Sequence, residues 1–335
     1  MQTDRSGIIR GAYRAALGAA LGAALVACAA GTRPAAEAER GHYLFAYFKG
    51  NGEDGLHLAH SVDGLTWRAL RGDRPFFTPT VGKEKLTRDP SVVRGPDGTY
   101  HMVWTAGWNE HGFGYAHSKD LITWEGETYV PVMAHEPTAM NTWAPELLYD
   151  APTGRFMIYW ATTIPGRYPD TDVGGGGGKY NHRIYYVTTT DFRTFTPAKL
   201  LYEHGFSVID APIVRDGPRY VMFLKDETER PTAQKNIRLA FANRAEGPWS
   251  GPTAPITGDY WAEGPTALRI GERWIVYFDR YREHRYGAMA ARELTPTARW
   301  TSITPSIRMP DGMRHGTAFE VPAADVRLLV ERFGQ

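Results

Sequence analysis

The sequence predicts an all-β protein, a five-bladed β-propeller that forms a single domain closed by pairing of its N- and C-terminal strands. Three observations predict this fold class: a motif repeated at blade-sized intervals, a second repeated hairpin signature, and a composition rich in turn-forming residues. The 335 residues include 36 Gly and 23 Pro, and 13 % are aromatic, which is typical of turn-rich all-β proteins. Outside the N-terminal leader no long run at helical period is evident, so we expect strands and turns throughout.

The first repeated motif is a polar residue directly ahead of an alternating apolar run. It occurs five times, and its marker residues are 53 to 64 positions apart by subtraction of residue numbers. This interval is the size of one propeller blade. The copies read RDPSVV, WAPELL, IDAPIV, AEGPTAL and RHGTAFEV, and their markers are Asp89, Glu146, Asp210, Glu263 and Gly316.

Two other strand patterns lie between the copies of this motif. GLHLAHSVDGLTW and GFGYAHSKDLITW are typical of hairpins with polar turns, and their closing Trp is expected to pack between blades. GRFMIYWATT and ERWIVYFDRY are typical of single strands rich in aromatic and β-branched residues. Four strands in each of five repeats predict five blades. The strand at His42 and the last motif at Arg314 are expected to pair, because that pairing closes the ring and removes free sheet edges.

The N-terminal leader has the pattern of an export signal, with three arginines flanking an apolar run rich in Ala and Gly. It ends in Leu25-Val26-Ala27-Cys28, which resembles the lipobox of bacterial lipoproteins. Cys28 is the only cysteine, so it is a candidate for lipidation and has no partner for an intramolecular disulfide. An ordinary secretory signal is the alternative. We therefore expect a signal peptide over 1–28, a flexible tether over 29–40, and the propeller domain over 41–335, in the bacterial cell envelope.

The charge balance argues against nucleic acid as a partner. Lys and Arg total 38, Asp and Glu total 37, and the two signs are scattered along the chain, giving a net charge of +1. The membrane is expected as a partner only through the lipid on Cys28, and the propeller is expected to be a monomer. No cluster with metal-ligand spacing is evident, so no metal site is assigned, no cofactor is required, and a structural calcium ion is optional.

The first repeated motif also predicts a reaction. In a propeller the innermost strand of each blade lines the central channel, so the carboxylates of Asp89, Glu146, Asp210 and Glu263 should meet there. Carboxylates that meet in one pocket repel each other, which raises the pKa of some of them. Hydrolysis of a glycosidic bond needs one carboxylic acid for the leaving oxygen and one carboxylate for the attacking water.

The five motifs, in this order and at this spacing, resemble glycoside hydrolase family 43. The resemblance extends from Tyr43 to about Val321, and it implies a five-bladed propeller that hydrolyses O-glycosyl bonds with inversion. It also implies removal of terminal α-L-arabinofuranosyl or β-xylosyl units from plant-type polysaccharides or oligosaccharides. By position, Asp89 would be the general base, Asp210 the carboxylate that tunes the pKa of the acid, and Glu263 the general acid.

The neighbours of these carboxylates supply candidate substrate-binding residues. An apolar neighbour is expected to keep the proton on Glu263. Trp residues beside the motifs are candidates for stacking on sugar faces. Two arginines are expected to pair with the carboxylates and lower the pKa of the base. The candidates for substrate binding are Glu146, Trp108, Trp143, Trp261, Arg285, His315 and Arg88.

Three alternatives remain open at the level of sequence. A β-galactosidase or exo-galactanase of the same family is one, although relatives that cleave galactan lack the usual base and Asp89 is present here. A fructan hydrolase that retains configuration is another, but the first strand, YLFAYFKGNG, has no Asp at its start. The third is a lipid-anchored propeller that binds sugar without turnover. The segment from Val173 to Arg183, with five consecutive Gly, is expected to be an insertion at the pocket rim.

Overall fold

The computed structural model describes residues 41–171 and 179–334, and its strands form five antiparallel sheets of four strands each. Neighbouring sheets contact one another around a central channel, through their innermost strands at three of the five junctions. The predicted five-bladed β-propeller is thereby confirmed. The predicted signal peptide, the tether and the five-glycine run lie outside the described residues.

The strands follow the order of the chain around the ring. The first blade contains β1 (His42–Lys49), β2 (His57–Ser61) and β3 (Arg68–Ala69). The second contains β4 (Arg88–Arg94), β5 (Tyr100–Thr105), β6 (Phe113–Ser118) and β7 (Trp124–Val130). The third contains β8 (Trp143–Asp150), β9 (Arg155–Thr163), β10 (His182–Thr189) and β11 (Lys199–Tyr202). The fourth contains β12 (Val208–Ile209), β13 (Ile213–Asp216), β14 (Arg219–Asp226) and β15 (Asn236–Ala242), and the fifth contains β16 (Glu263–Ile270), β17 (Arg273–Arg280), β18 (Arg285–Ala291) and β19 (Thr301–Ser302).

The last strand, β20 (Met313–Val321), closes the ring as the sequence predicts. It is the innermost strand of the first blade and pairs with β1 in antiparallel register, from His42 opposite Val321 to Lys49 opposite Met313. The two ends of the propeller therefore share one sheet. This pairing gives β1 a partner on its inner side and joins the first and last strands of the propeller.

Aromatic side chains fill the spaces between blades, as the hairpin signature predicts. Trp67 closes the first signature and is 3 % exposed. Its ring makes edge contacts with Phe45 of the first blade at 5.3 Å and with Tyr277 of the fifth blade at 5.6 Å, measured between ring centroids. The indole of Trp67 therefore joins two neighbouring blades, which is the structural role expected for it.

A C-terminal helix contradicts the expectation of strands throughout. α1 (Ala323–Phe333) follows β20 directly and buries Val326 and Leu329 against a hydrophobic cluster that the first and second blades share. Only these two side chains of its eleven residues are buried, so its apolar stripe is too short to distinguish it from a turn in the sequence. Across the described residues no helix is long and apolar enough to span a membrane.

Two adjacent leucines of α1 test the contribution of this helix to stability. Leu329 is 0 % exposed, and Leu328 is 47 % exposed. Leu329→Ala should lower the free energy of unfolding by about 2–4 kcal/mol, because it removes buried methyl groups and leaves a cavity. Leu328→Ala should change it by less than about 0.5 kcal/mol. Urea denaturation measures both, and equal losses in the two variants would contradict the packing of α1.

Candidate active site

The innermost strands share a local distortion that shapes the site. The strand pairings of β4, β8, β16 and β20 each shift register at the same level of the propeller, at a β-bulge. In four blades the residue at this point has a positive φ, between 45° and 55°. Such a backbone is strained for residues other than Gly, and bulges of this kind redirect side chains beside functional sites. The bulge residues are Asp89, Ala144, Asp210, Gly264 and His315.

The bulge residues and the residues directly before them converge on one cavity. Its volume is about 220 Å³. All five preceding residues and four of the five bulge residues line it, so the repeated distortion brings five distant parts of the chain together. The preceding residues are Arg88, Trp143, Ile209, Glu263 and Arg314, and the other lining residues are Asp89, Thr105, Trp108, Ala144, Asp210, Lys225, Glu227 and His315.

His315 lies between two carboxylates of this cavity. Its Nδ1 atom is 3.2 Å from Oδ1 of Asp89 and 3.9 Å from Oδ1 of Asp210. Burial by itself would lower the pKa of His315, but the charges of Asp210 and Asp89 outweigh it and raise the pKa to about 10. The side chain is therefore an imidazolium at neutral pH, and it links two of the three predicted catalytic residues.

Asp89 is held as a carboxylate. Its Oδ2 atom accepts a hydrogen bond of 2.8 Å from Thr105 Oγ1. Burial raises its pKa, but the charge of His315, the hydrogen bond from His315 and the charge of Arg88 together lower it to about 2. Asp89 is thus ionised over the whole ordinary pH range, as a general base must be before it accepts a proton.

Asp210 has the opposite electrostatic environment. Burial raises its pKa, and the charge of Glu263 raises it further, against the lowering effects of His315 and Lys225. Its Oδ2 atom accepts a hydrogen bond of 2.9 Å from the backbone N–H of Gly264, the residue after Glu263. The pKa of Asp89 is lowered and that of Asp210 is raised. Opposite shifts are expected where one carboxylate accepts a proton and another helps to hold one.

Glu263 does not have the apolar neighbour that the sequence suggested. Its Oε2 atom is 3.1 Å from Lys225 Nζ, and its Oε1 atom is 3.4 Å from Arg314 Nη2. Lys225 is nearly fully buried and also contacts Glu227 at 2.7 Å, while Arg314 contacts Asp279 at 2.7 Å. That expectation was wrong, because β14 of the fourth blade and β20, the last strand, bring charged side chains to Glu263.

Glu146 lies deeper than the other markers. It occupies the same register position as Ser91 and Thr266, beyond the bulge, and it is absent from the cavity lining. Its Oε2 atom accepts a hydrogen bond of 2.8 Å from Ser91 Oγ of the neighbouring blade. Burial raises its pKa to about 7, with smaller opposing effects from His315 and Ser91. This position does not support direct contact with substrate, and it makes Glu146 a link between the second and third blades.

The predicted aromatic walls are placed unequally. Trp108 and Trp143 line the cavity with their rings edge to face at 5.5 Å, and Trp143 Nε1 donates to the carbonyl oxygen of Trp108 at 2.9 Å. Trp261 is not part of the lining. Its ring lies under the guanidinium of Arg282, at 3.3 Å from the ring centroid to Cζ, and beside Tyr281.

The two predicted arginines also differ in position. Arg88 lines the cavity next to Asp89. Arg285 is 59 % exposed and donates from Nε to Glu283 at 2.8 Å, away from the cavity. The expectation that Arg285 pairs with the active-site carboxylates was therefore wrong, and Arg314 makes that contact instead.

Comparison with known proteins fits this geometry. A family profile described as "Probable glycosyl hydrolase domain", related to glycoside hydrolase family 43, matches residues 39–326. The chain belongs to this family. The family contains glycoside hydrolases, and the predicted membership is thereby confirmed.

Individual relatives are distant. An α-L-arabinofuranosidase of Bifidobacterium longum subsp. longum is 25 % identical over a region that covers 48 % of this chain and 18 % of that protein. The chain thus spans less than a fifth of the length of this curated relative. A solved thermostable family-43 glycoside hydrolase is 16 % identical, with a TM-score of 0.51, over 72 % of this chain and 81 % of that chain. A candidate exo-β-1,3-galactanase of Bifidobacterium bifidum s17 is 16 % identical, with a TM-score of 0.53, over 77 % and 86 % of the two chains. At these identities the two structures show a shared fold.

Sequence reasoning missed four polar residues of this family-43-related site. The strand β5 ends at Thr105, β14 contains Lys225, and Glu227 directly follows β14. Arg314 belongs to the last motif, but the sequence analysis assigned it no role. The one available signal was a charged residue at the end of an apolar strand, as in VMFLKDE. Within 41–171 and 179–334 there is no group of three or more His, Cys, Asp or Glu side chains arranged to hold a metal ion.

The charge of His315 can be measured directly. Its pKa of about 10 means that both ring nitrogens should stay protonated at pH 8, and ¹⁵N chemical shifts report this state. Asp89→Asn removes one of the anions that raise this pKa, so the pKa of His315 should fall. His60 is an internal control, because burial lowers its pKa to about 4 and its ring should be neutral at pH 6 and pH 8 alike. A neutral His315 ring at pH 8 in the unmodified protein would contradict the arrangement.

Proposed function

We propose that this protein is an inverting glycoside hydrolase that removes terminal α-L-arabinofuranosyl or β-xylosyl units from plant-type polysaccharides or oligosaccharides. The observation that carries the proposal is the convergence of Asp89, Asp210 and Glu263, from three different blades, on one cavity around His315. Membership of a family related to glycoside hydrolase family 43 supports the reaction class. The arabinofuranosidase relative supports the choice of sugar only weakly, because so little of that protein is covered.

The proposed reaction is a single displacement at the anomeric carbon. Asp89 accepts a proton from a water molecule, whose oxygen bonds to the anomeric carbon on the face opposite the leaving group. The bond from the anomeric carbon to the glycosidic oxygen breaks, and that oxygen takes a proton from Glu263. Both electrons of the broken bond stay with the leaving oxygen, so charge and atoms balance and the anomeric configuration inverts.

Asp210 is proposed to orient the general acid, Glu263, and to act on it through its charge. Burial and the neighbouring charge of Glu263 raise the pKa of Asp210. The hydrogen bond from the backbone N–H of Gly264 fixes the Asp210 carboxyl group beside Glu263, and Glu263 is proposed to carry the catalytic proton when substrate is bound. Lys225 and Arg314 then stabilise the carboxylate that Glu263 becomes after it has given up its proton.

The size of the cavity supports removal of terminal sugars. At about 220 Å³ it is smaller than the roughly 300–1,000 Å³ typical of sites for larger ligands. A cavity of this size suits one sugar ring with its anomeric carbon near the carboxylates. Trp108, 38 % exposed, offers an indole face beside the cavity on which a further sugar can stack.

The proposed location is the bacterial cell envelope, with the chain exported and anchored by a lipid on Cys28. This part of the proposal rests on the leader sequence and its similarity to a lipobox. The propeller is proposed to act as a monomer on carbohydrate and to need no cofactor. A flexible tether over residues 29–40 would let the propeller reach substrate away from the membrane surface.

Glu263→Gln tests the reaction and the acid together. The mature chain is incubated with aryl α-L-arabinofuranoside, β-xyloside, β-galactoside and β-fructofuranoside, and proton NMR identifies the anomer formed first. We expect release of one sugar with inverted configuration. Glu263→Gln should lose about 10²–10⁴-fold in rate on a disaccharide of the same sugar, whose leaving oxygen needs protonation. Glu283→Gln is the matched control, because Glu283 pairs with Arg280 and Arg285 away from the cavity and its loss should leave the rate unchanged.

Two results would contradict this proposal in different ways. A first product of retained configuration would rule out the single displacement and favour a covalent intermediate. Sugar binding without hydrolysis of any substrate in the panel would instead favour a propeller that only binds carbohydrate. Preferential release of galactose would keep the reaction and replace the proposed sugar.

Cys28→Ala tests the anchor. In a bacterial host the unmodified chain should incorporate labelled palmitate and sediment with membranes, because the thiol carries the lipid. Cys28→Ala should lose the label and leave the membrane fraction. The proposed anchor is wrong if the unmodified chain takes up no label or if the variant still sediments with membranes.

A further inference from the structure

Four cationic side chains line the cavity, and three of them are neutralised by the protein. Each of these three lies within 4.0 Å of two carboxylates, so its charge is compensated inside the site and it has little capacity left for an anionic ligand. The compensated cations are Lys225 with Glu227 and Glu263, Arg314 with Asp279 and Glu263, and His315 with Asp89 and Asp210.

Arg88 is the exception. Among the described residues no carboxylate lies within 4.0 Å of its guanidinium, although it lines the same cavity. Its Cζ atom is 4.3 Å from the ring centroid of Trp108 and 4.6 Å from that of Phe48. Its Nη1 atom donates to the backbone oxygen of Asn51 at 3.2 Å and to the side-chain Oδ1 of Asn51 at 3.1 Å. These neutral groups orient the guanidinium without neutralising it.

The remaining donors of Arg88 form a fork that the described part of the chain leaves open. Nε and Nη2 donate to no acceptor there, whereas Nη1 is fully occupied by Asn51. The Nε and Nη2 edge of an arginine is planar and matches the two oxygens of a carboxylate. Stacking on Trp108 and the Asn51 contacts fix this edge in advance, so little side-chain entropy is lost when an anion binds.

We propose that the substrate is an acidic saccharide and that Arg88 binds the carboxylate of a uronic acid sugar within it. This inference rests on the proposed function, because it assigns a substrate class to the same cavity. Trp108 lies directly beside the guanidinium and is partly exposed, so one sugar can stack on its indole while its carboxylate pairs with Arg88. Trp108 Nε1 donates to Asn51 Oδ1 at 3.1 Å, and this bond holds the indole and the guanidinium in one arrangement.

A carboxylate explains the arrangement better than neutral hydroxyl groups do. Hydroxyl groups could accept from the same fork, but they would leave the guanidinium without a carboxylate in direct contact. A charge-assisted pair is roughly twice as strong as a neutral hydrogen bond. The difference should therefore appear as a preference for the acidic over the neutral form of the same sugar.

Titration with free monosaccharides tests this preference without any glycosidic bond to cleave. The indole N–H signal of Trp108, assigned by loss in Trp108→Phe, reports binding in ¹H–¹⁵N spectra of the mature chain. D-Glucuronate and D-galacturonate should bind about tenfold or more tightly than glucose and galactose. The preference should weaken as salt is raised, because an ion pair is screened.

Substitutions of arginine identify the group responsible. Arg88→Gln should bind acidic and neutral sugars alike, and Arg88→Lys should keep a reduced preference, since it retains the charge but loses the planar fork. Arg285→Gln is the matched control, because Arg285 is exposed and paired with Glu283, and its preference should equal that of the unmodified chain. If Arg88→Gln does not fold, the reduced preference of Arg88→Lys carries the test.

The inference is overturned if the unmodified chain binds acidic and neutral sugars equally, if it binds neither, or if Arg88→Gln keeps the preference. Stronger binding of glucose 6-sulfate than of glucuronate would also overturn the assignment to a carboxylate. Failure of the inference and failure of the proposed function are distinguishable. Hydrolysis of neutral aryl glycosides without any acidic preference removes only the inference, and an Arg88-dependent preference in a protein that hydrolyses nothing removes only the proposed reaction.

Discussion

The contact of the His315 imidazolium with Asp89 and Asp210 is the interaction on which the rest of the cavity depends. Carboxylates from the second and fourth blades approach the same point, and without a cation between them their repulsion and desolvation would oppose closure of the ring. Burial alone would lower the pKa of the imidazole and favour its neutral form, but the charges of the two carboxylates outweigh burial and keep the ring protonated. The last strand of the propeller therefore supplies the charge that allows the inner strands of the second and fourth blades to meet.

The same contact separates the roles of the carboxylates. His315 and Arg88 hold Asp89 in its ionised form, whereas burial and the charge of Glu263 raise the pKa of Asp210. The cavity thus has one side on which Asp89 stays ionised and another on which the protonated form of Asp210 is favoured. Hydrolysis of a glycosidic bond needs this asymmetry, and here the cations beside Asp89 and the burial of Asp210 produce it.

The repeated bulge converts a regular propeller into a site. An undistorted inner strand would present alternate residues to the channel, one at a time. In four of the five blades the bulge turns two successive residues toward the same cavity, which is why both Arg88 and Asp89 line it. Asp tolerates the positive φ better than most residues, so Asp89 and Asp210 suit the bulge both by conformation and by charge.

The sequence by itself determined the number of blades, the closure by the first and last strands, and the segments that supply the carboxylates. These features follow from local alternation and from a repeat interval, and both can be read along the chain. The sequence did not determine the depth of each carboxylate. The four carboxylate markers look alike in sequence, yet Asp89 and Asp210 are at the bulge, Glu263 is one residue before it, and Glu146 lies beyond it and below the cavity.

Only the tertiary structure decided which charges meet. Lys225, 38 positions before Glu263, and Arg314, 51 positions after it, both contact the Glu263 carboxylate. Arg285, which the sequence favoured, pairs with its neighbour Glu283 instead. Helix α1 was missed for a related reason, since two buried side chains give too short a pattern to detect. Periodicity identifies a strand and its buried face, but a pairing between blades depends on the register of two strands at once, and no local pattern in one of them contains it.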